Sequence, residues 1–446
     1  MGFSRDFRLI WVGYTLSALG DMVIPAALAL AVVRATGSAA ALALVLGCAS
    51  IPRLMLLPLG GVLADRWSPR RVAIVADLVR GAAQLVVGVE LVAGHFRLVD
   101  LAVAGVVTGA ASAFALPTGS RLVVASVAPA DRPRANGFIG ASRAAAGVLG
   151  PAIGGAVVLT IGPGWAFLID ATTFGVSAVA FAAARLAFTT PATAPAARTP
   201  LHRDLTDGWA EVRRHDWLWT SLIGHGVWNM AAALFMTLGP LIAVRSTGGE
   251  AVWIAVLQAG AIGLLVGSLF ATRLGSAGRF RLRIARPVLF ANLALSLYSV
   301  PLALFAVGAP PVALVAAYGV ALAGLGFLNP VWESTLQQRI PASHLARVDS
   351  WDMVLSFGAM PLGYALAAPA AAALGNGGPL AIAAVVVAAA TAGLAVVPGV
   401  RRLRYDHPPR DDLAAVSPAR RAIGGTGGGV TARSTGESER VAVSGG

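Results

Sequence analysis

Eight ionisable side chains interrupt stretches of sequence that are otherwise apolar: Asp21, Arg53, Asp77, Arg80, Arg121, Arg143, Asp170 and Glu333. An ionised side chain at the centre of a membrane-crossing helix costs ~2.5–3.5 kcal/mol on insertion scales, so each one needs a partner, a water-filled cavity or a function. Asp77 and Arg80 are three residues apart and can neutralise one another on one helix face. With Arg53, Arg121 and Arg143 they are expected in the cytoplasmic parts of the second to fifth helices, and with Asp170 they make up a charge network. It serves either as scaffolding around an inner gate or as a site for an anionic substrate. Asp21 and Glu333 are the candidates for proton exchange. Burial would favour their neutral form and a neighbouring arginine their ionised form, and the sequence leaves both open.

Three helix faces carry polar groups beside aromatics. Tyr14, Ser17 and Asp21 share one by helical spacing; Ser221, His225, Trp228 and Asn229 share a second; Asn329, Trp332, Glu333 and Gln337 share a third. Such a lining suits an amphipathic organic molecule, cationic where it meets the acids. For His225 a hydrogen bond between helices is an equally open reading. The chain shows no phosphate-binding loop, no nucleophile–base pair and no His-x-x-x-His spacing, and its one cysteine, Cys48, lies in an apolar run. A transporter without cofactor is expected, not an enzyme.

The elements that must hold these residues are membrane helices. Hydrophobic residues make up 57% of the 446 and charged residues 12%, against about 25% charged in ordinary soluble domains. The net charge of +13 comes entirely from arginine, since there is no lysine. These arginines sit in short loops between apolar runs, which argues against nucleic-acid binding and for a lipid bilayer as partner. A hydrocarbon core of ~30 Å needs about 20 apolar residues in helix. Cutting at Arg, Pro and Gly gives twelve segments: 10–33, 40–62, 72–93, 99–126, 136–161, 165–186, 217–244, 251–273, 284–307, 311–338, 348–374 and 379–398. The first follows a short polar start with no cleavage pattern, so it is read as a retained helix.

The expected organisation is an all-α protein with a six-helix bundle over 1–188, a cytoplasmic loop over 189–216, a second bundle over 217–398 and a disordered cytoplasmic tail over 399–446. The loop opens Pro/Ala/Thr-rich and ends in an amphipathic piece, and the tail has too little apolar surface for a core. With both termini cytoplasmic, the inner loops hold most arginines and the outer ones only Arg34, Arg97 and Arg245. That orientation fits a multi-pass protein of the cytoplasmic membrane. The halves echo each other, Pro129-Ala130 recurring as Pro341-Ala342 and Gly150-Pro151 as Met360-Pro361. Such repeats point to a site between two bundles.

Two motifs carry a family resemblance. Gly61-Val-Leu-Ala-Asp65-Arg66-Trp-Ser-Pro-Arg70-Arg71 joins segments two and three and resembles the loop signature of the major facilitator superfamily. Segment five holds Gly137, Gly147, Gly150, Pro151, Gly154 and Gly155, with alanine at 146, and resembles the antiporter motif of that superfamily's exporters. Phrases such as Ser17-Ala-Leu-Gly-Asp21, Phe167-Leu-Ile-Asp170 and Gln338-Arg-Ile-Pro341 are similar to its macrolide-efflux and enterobactin-exporter-like branch. The resemblance covers about residues 5–398. It implies two pseudo-symmetric bundles, alternating access, and export of drugs, antibiotics or siderophore-like molecules by proton antiport as a monomer. An importer or lipid transporter on the same fold is the alternative. In the loop signature, Asp65 is implied to latch the inner gate. An arginine that many proton-coupled relatives carry would fall at Gly105, and its absence speaks against coupling by that route.

Overall fold

In the computed structural model, residues 3–66, 68–115, 118–185, 201–246, 248–273 and 284–404 are described. They are helical, with no strand among them, and twelve helical stretches are long and apolar enough to cross a membrane. The helices are α1 (Arg5–Thr36), α2 (Ala39–Arg66), α3 (Pro69–Val92), α4 (Leu98–Ala115), α5 (Thr118–Ser126), α6 (Arg132–Thr160), α7 (Pro163–Ala183), α8 (Leu201–Arg214), α9 (Asp216–Ser246), α10 (Glu250–Ala271), α11 (Pro287–Leu295), α12 (Ser299–Ala306), α13 (Pro311–Arg339), α14 (Ala342–Asp352), α15 (Met360–Leu374), α16 (Gly378–Gly393) and α17 (Pro398–Arg402). Six crossings precede α8 and six follow it; α11 and α12 share one, as do α14 and α15. Residues up to Arg404 form one compact unit. The expected Pro-rich linker start, 189–200, and most of the expected tail lie outside the described residues.

Local chemistry sets the helix ends. Ser4 caps α1, its Oγ accepting from the Phe7 amide at 3.2 Å, and Gly37 ends the helix at φ 57°, a conformation that favours glycine. Proline opens α3, α7, α11 and α13 at their first turns, where an amide hydrogen would have no partner in the helix. The amphipathic α8 lies within the expected central loop and docks on α14. The Trp209 and Trp351 rings stand 5.0 Å apart, and Arg347 pairs with Asp207 at 3.7 Å.

Glycine permits the closest helix crossings. A Cβ on Gly263 or Gly267 would strike the backbone carbonyls of Gly319 and Ala323, so α10 and α13 touch through their main chains. Gly105 and Gly109 do the same for α4 against α2, the Gly105 site lying 3.2 Å from the Val45 carbonyl oxygen. An arginine at 105 would have to push α2 away, so the close packing here fits glycine at this position.

Candidate functional site

A cavity of about 530 Å³ lies inside the first six crossings. Its charged and polar lining comes from α1 (Tyr14, Ser17, Asp21), α2 (Arg53), α3 (Asp77, Arg80), α4 (Ser112), α5 (Thr118) and α6 (Arg143). Apolar surface from Ala18, Met22, Pro25, Leu122 and Phe181 completes it. This volume is in the range that accepts a drug-sized molecule.

From the Asp77 and Arg80 side of this lining a buried polar cluster extends between α3 and α7. Arg80, 5% exposed, donates to Asp77 at 2.5 Å, to both Asp21 oxygens at 3.1 and 3.2 Å, and to Ser17 Oγ at 3.2 Å, while its guanidinium lies 4.1 Å from the Phe174 ring centre. The second Asp77 oxygen accepts from Ser177 at 2.6 Å. Asp170, fully buried, accepts from Gln84 at 2.9 Å and from Thr173 at 3.4 Å. Asp77, Arg80 and Gln84 follow i, i+3, i+7 spacing on α3, as Asp170, Thr173 and Ser177 do on α7, so two polar stripes face each other. The Asp77–Arg80 pair is therefore as the spacing predicts. Its position is not: Arg80 lies 11 residues from Pro69 and 12 from Val92, at mid-helix, not at the Asp65 end. Among the described side chains, Arg80 is the guanidinium that binds both Asp21 and Asp77.

The remaining candidates separate. Glu333, Gln337 and Asn329 form an exposed face of α13, with Gln337 donating to Glu333 at 3.2 Å. Trp332, expected on that face, is buried instead: its ring stands 4.8 Å from that of His225, and its Nε1 donates to Asp352 at 2.6 Å. His225 is itself buried and hydrogen-bonded to Asn292 Oδ1 at 3.1 Å, which is the inter-helix reading of this residue. Trp228 packs 4.6 Å from Tyr298, and Asn229 donates back to the His225 carbonyl. None of these residues lines the first-half cavity. Trp332 stands about 100° around α13 from Glu333, and at that angle its ring packs inward against Trp217 and His225.

For Gly61, Asp65, Arg66 and Arg121 only the helical backbone is described. Arg70 donates to the Phe181 carbonyl at 2.8 Å and to that of Ala182, capping the C-terminal end of α7, where a cation meets the negative end of the dipole. Arg71 instead lines a groove between α3 and α4.

The glycines of α6 also divide. Gly150 and Gly154 meet Met22 and Val23 of α1, and Gly155 meets Ile254 of α10. Gly137 and Gly147 face open space, so close approach does not explain them. Pro151 stands within α6 and withholds an amide donor from its ladder. At Gly154 a Cβ would come 2.6 Å from the Val23 carbonyl, an atom that cannot swing aside. Gly154→Ala is expected to cost about 1–3 kcal/mol of stability through overpacking, and Gly137→Ala to be neutral or stabilising. Thermal unfolding in detergent measures both; equal melting temperatures would refute the packing account.

Side chains that join the two halves gather, among the described residues, where α1 finishes and α10 begins. Arg34 reaches both oxygens of Glu250, at 2.5 Å from its Nε, and also the Val158 carbonyl at 3.3 Å. Arg245 donates to the Gly37 carbonyl at 2.6 Å, and Gln258 to that of Val148 at 3.1 Å. The sequence offered no signal for these ties, because partners more than 100 residues apart share no local pattern.

The sequence profile of the Major Facilitator Superfamily matches residues 10–357. The multidrug efflux pump Tap of Mycobacterium tuberculosis, and the Tap of Mycobacterium bovis, are 30% identical over 380 residues, covering 81% of this chain and 86% of theirs. Among solved structures, a POT family transporter in complex with a thioalcohol-conjugated peptide superposes with a TM-score of 0.71 at 12% identity, over 89% of this chain and 97% of that one. The nucleoside transporter NupG gives 0.64 at 13% identity, over 88% and 98%. At these identities the superpositions speak for the fold.

Proposed function

The chain belongs to the major facilitator superfamily, and from that premise we propose that it exports small organic molecules across the cytoplasmic membrane in exchange for protons. The charged cavity in the first six crossings carries this reading, because it is sized for a drug-like molecule and lies at mid-helix depth, where transporters of this architecture bind. Export, not import, is supported by the similarity to efflux pumps and by the glycine stripe of α6 on α1. The ties around Arg34 and Arg245 would close the extracellular end, with both termini cytoplasmic. Each arginine expected outside has a partner, Arg97 pairing with Asp100 at 3.4 Å. Asp65 is assigned as latch of the opposite end, and the working unit is a monomer.

Asp21 and Glu333 are the proposed coupling acids. Asp21 has its side chain 44% exposed and bound to Arg80 at 3.1 Å, so it stands between the cavity and the buried cluster. Inside-out vesicles test the function: uphill uptake of an amphipathic dye should fall severalfold when the proton gradient is dissipated. Asp21→Asn or Glu333→Gln should remove the gradient-driven part while exchange survives. Wild-type proton dependence in both single variants and in the double variant would place coupling elsewhere.

A further inference from the structure

We infer that the cavity selects molecules carrying an oxyanion, such as a carboxylate, and holds it with Arg53 and Arg143. This rests on the reading of the cavity as the transport site and concerns what that site takes.

The argument is one of charge at depth. Arg53 lies 14 residues after Ala39 and 13 before Arg66, about 20 Å from either end of α2 at 1.5 Å per residue. Arg143 lies 11 residues after Arg132 and 17 before Thr160 on α6. Both are thus far from helix ends, where long side chains reach interfacial water. Arginine does not shed its proton, so each is a fixed positive charge.

Among the described residues neither has a counter-charge. The cavity's two carboxylates, Asp21 and Asp77, are both engaged by Arg80. Arg143 stands 5.6 Å from the Tyr14 ring centre, and among the described residues no hydrogen-bond acceptor is found for it or for Arg53. Both side chains are exposed to the cavity. Counting Asp21, Asp77, Arg53, Arg80 and Arg143, the lining is left with one net positive charge and two unsatisfied guanidinium forks. A guanidinium fork matches the geometry of a carboxylate, phosphate or sulfonate, and the apolar wall beside it suits the rest of an amphipathic acid. The cationic ligand expected from the acids alone would find Asp21 already taken and two positive charges opposite.

The test uses purified protein in lipid nanodiscs and three fluorescent probes on one ring system: an anthracene carboxylate, its methyl ester and a trimethylammonium analogue. The carboxylate should bind the wild type about tenfold more tightly than the other two, the scale of one charge-assisted contact. Arg53→Gln and Arg143→Gln should each lose about that factor for the acid and nothing for the ester, and Arg53→Lys and Arg143→Lys should keep part of it. Unchanged melting temperatures show that the variants fold. A wild type that prefers the ester or the ammonium, or binds none of the three, overturns the inference, as does undiminished acid binding in both glutamine variants. Ala18→Trp, which fills the cavity, separates the two levels. If it abolishes binding of every probe while the arginine variants discriminate nothing, the site stands and the oxyanion falls. If it leaves binding and dye transport intact, the cavity is not the site and both fall.

Discussion

Arg80→Gln should remove most of the folded protein. Among the described side chains Arg80 is the one cation bound by Asp21 and Asp77, and it is buried against Phe174. Neutralising it leaves Asp77 beside Asp21 without a counter-charge and Asp170 close by on α7; Asp77 and Asp170 are buried where water cannot solvate them, while Asp21 keeps its access to the cavity. Breaking a buried pair by deleting one partner typically costs about 3–5 kcal/mol, a large share of the stability of most domains. Lysine should rescue little, since an ammonium on a flexible stem cannot reach Asp77, Asp21 and Ser17 together. Arg80→Gln combined with Asp77→Asn should regain much of the loss, because Ser177 can still donate to the new amide oxygen and one buried charge is gone. Monodispersity in mild detergent and the melting temperature measure the series. A single variant as stable as the wild type would mean that water enters the cluster freely, and the account of a buried charge centre would be wrong.

That cluster also marks how far sequence reasoning reaches. The twelve crossings were legible because each needs about 20 apolar residues bounded by Arg, Pro or Gly, and the expected 165–186 appears as Pro163–Ala183. The Asp77–Arg80 pair was legible because it is local. Gln84 and Ser177 could have been found by extending the same i, i+3, i+7 stripes. What joins the stripes could not, because nothing in α1, α3 or α7 alone says that Asp21 meets Arg80. The error over Trp332 has the same origin. Helical spacing placed it with Asn329 and Glu333, but a face is polar or packed according to its neighbours, and here His225 and Trp217 supply an aromatic pocket. The proposed division of roles between Arg53, Arg143 and Arg80 likewise depends on which arginine finds an acid, a tertiary fact.

The same dependence on distant partners makes the tie between the halves the most direct handle on the transport cycle. Arg34 grips Glu250 with two nitrogens on two oxygens, a geometry stronger than a single-point pair, yet its side chain is 37% exposed and that of Glu250 20%. Solvent therefore limits the attraction to about 1 kcal/mol. In Arg34→Glu that attraction is lost and a repulsion of similar size replaces it, so the balance between closed and open ends should shift by about 2 kcal/mol, or roughly thirtyfold. Under the proposed export by alternating access this end is shut while the other loads, and a protein held open should then transport at a correspondingly small fraction of the wild-type rate. Arg34→Glu with Glu250→Arg should restore both the closed population and the rate, though incompletely, because the Val158 carbonyl also serves Arg34. Spin labels at Ser38→Cys and Ala251→Cys, in a Cys48→Ser background, report the separation directly. The single variant should lengthen the distance between them and the reversed pair should return it. If the reversal of charge at Arg34 leaves both distance and rate unchanged, Arg245 and the Gln258–Val148 contact hold this end without the ion pair, and the gate must be sought in the helix packing of α6 on α10.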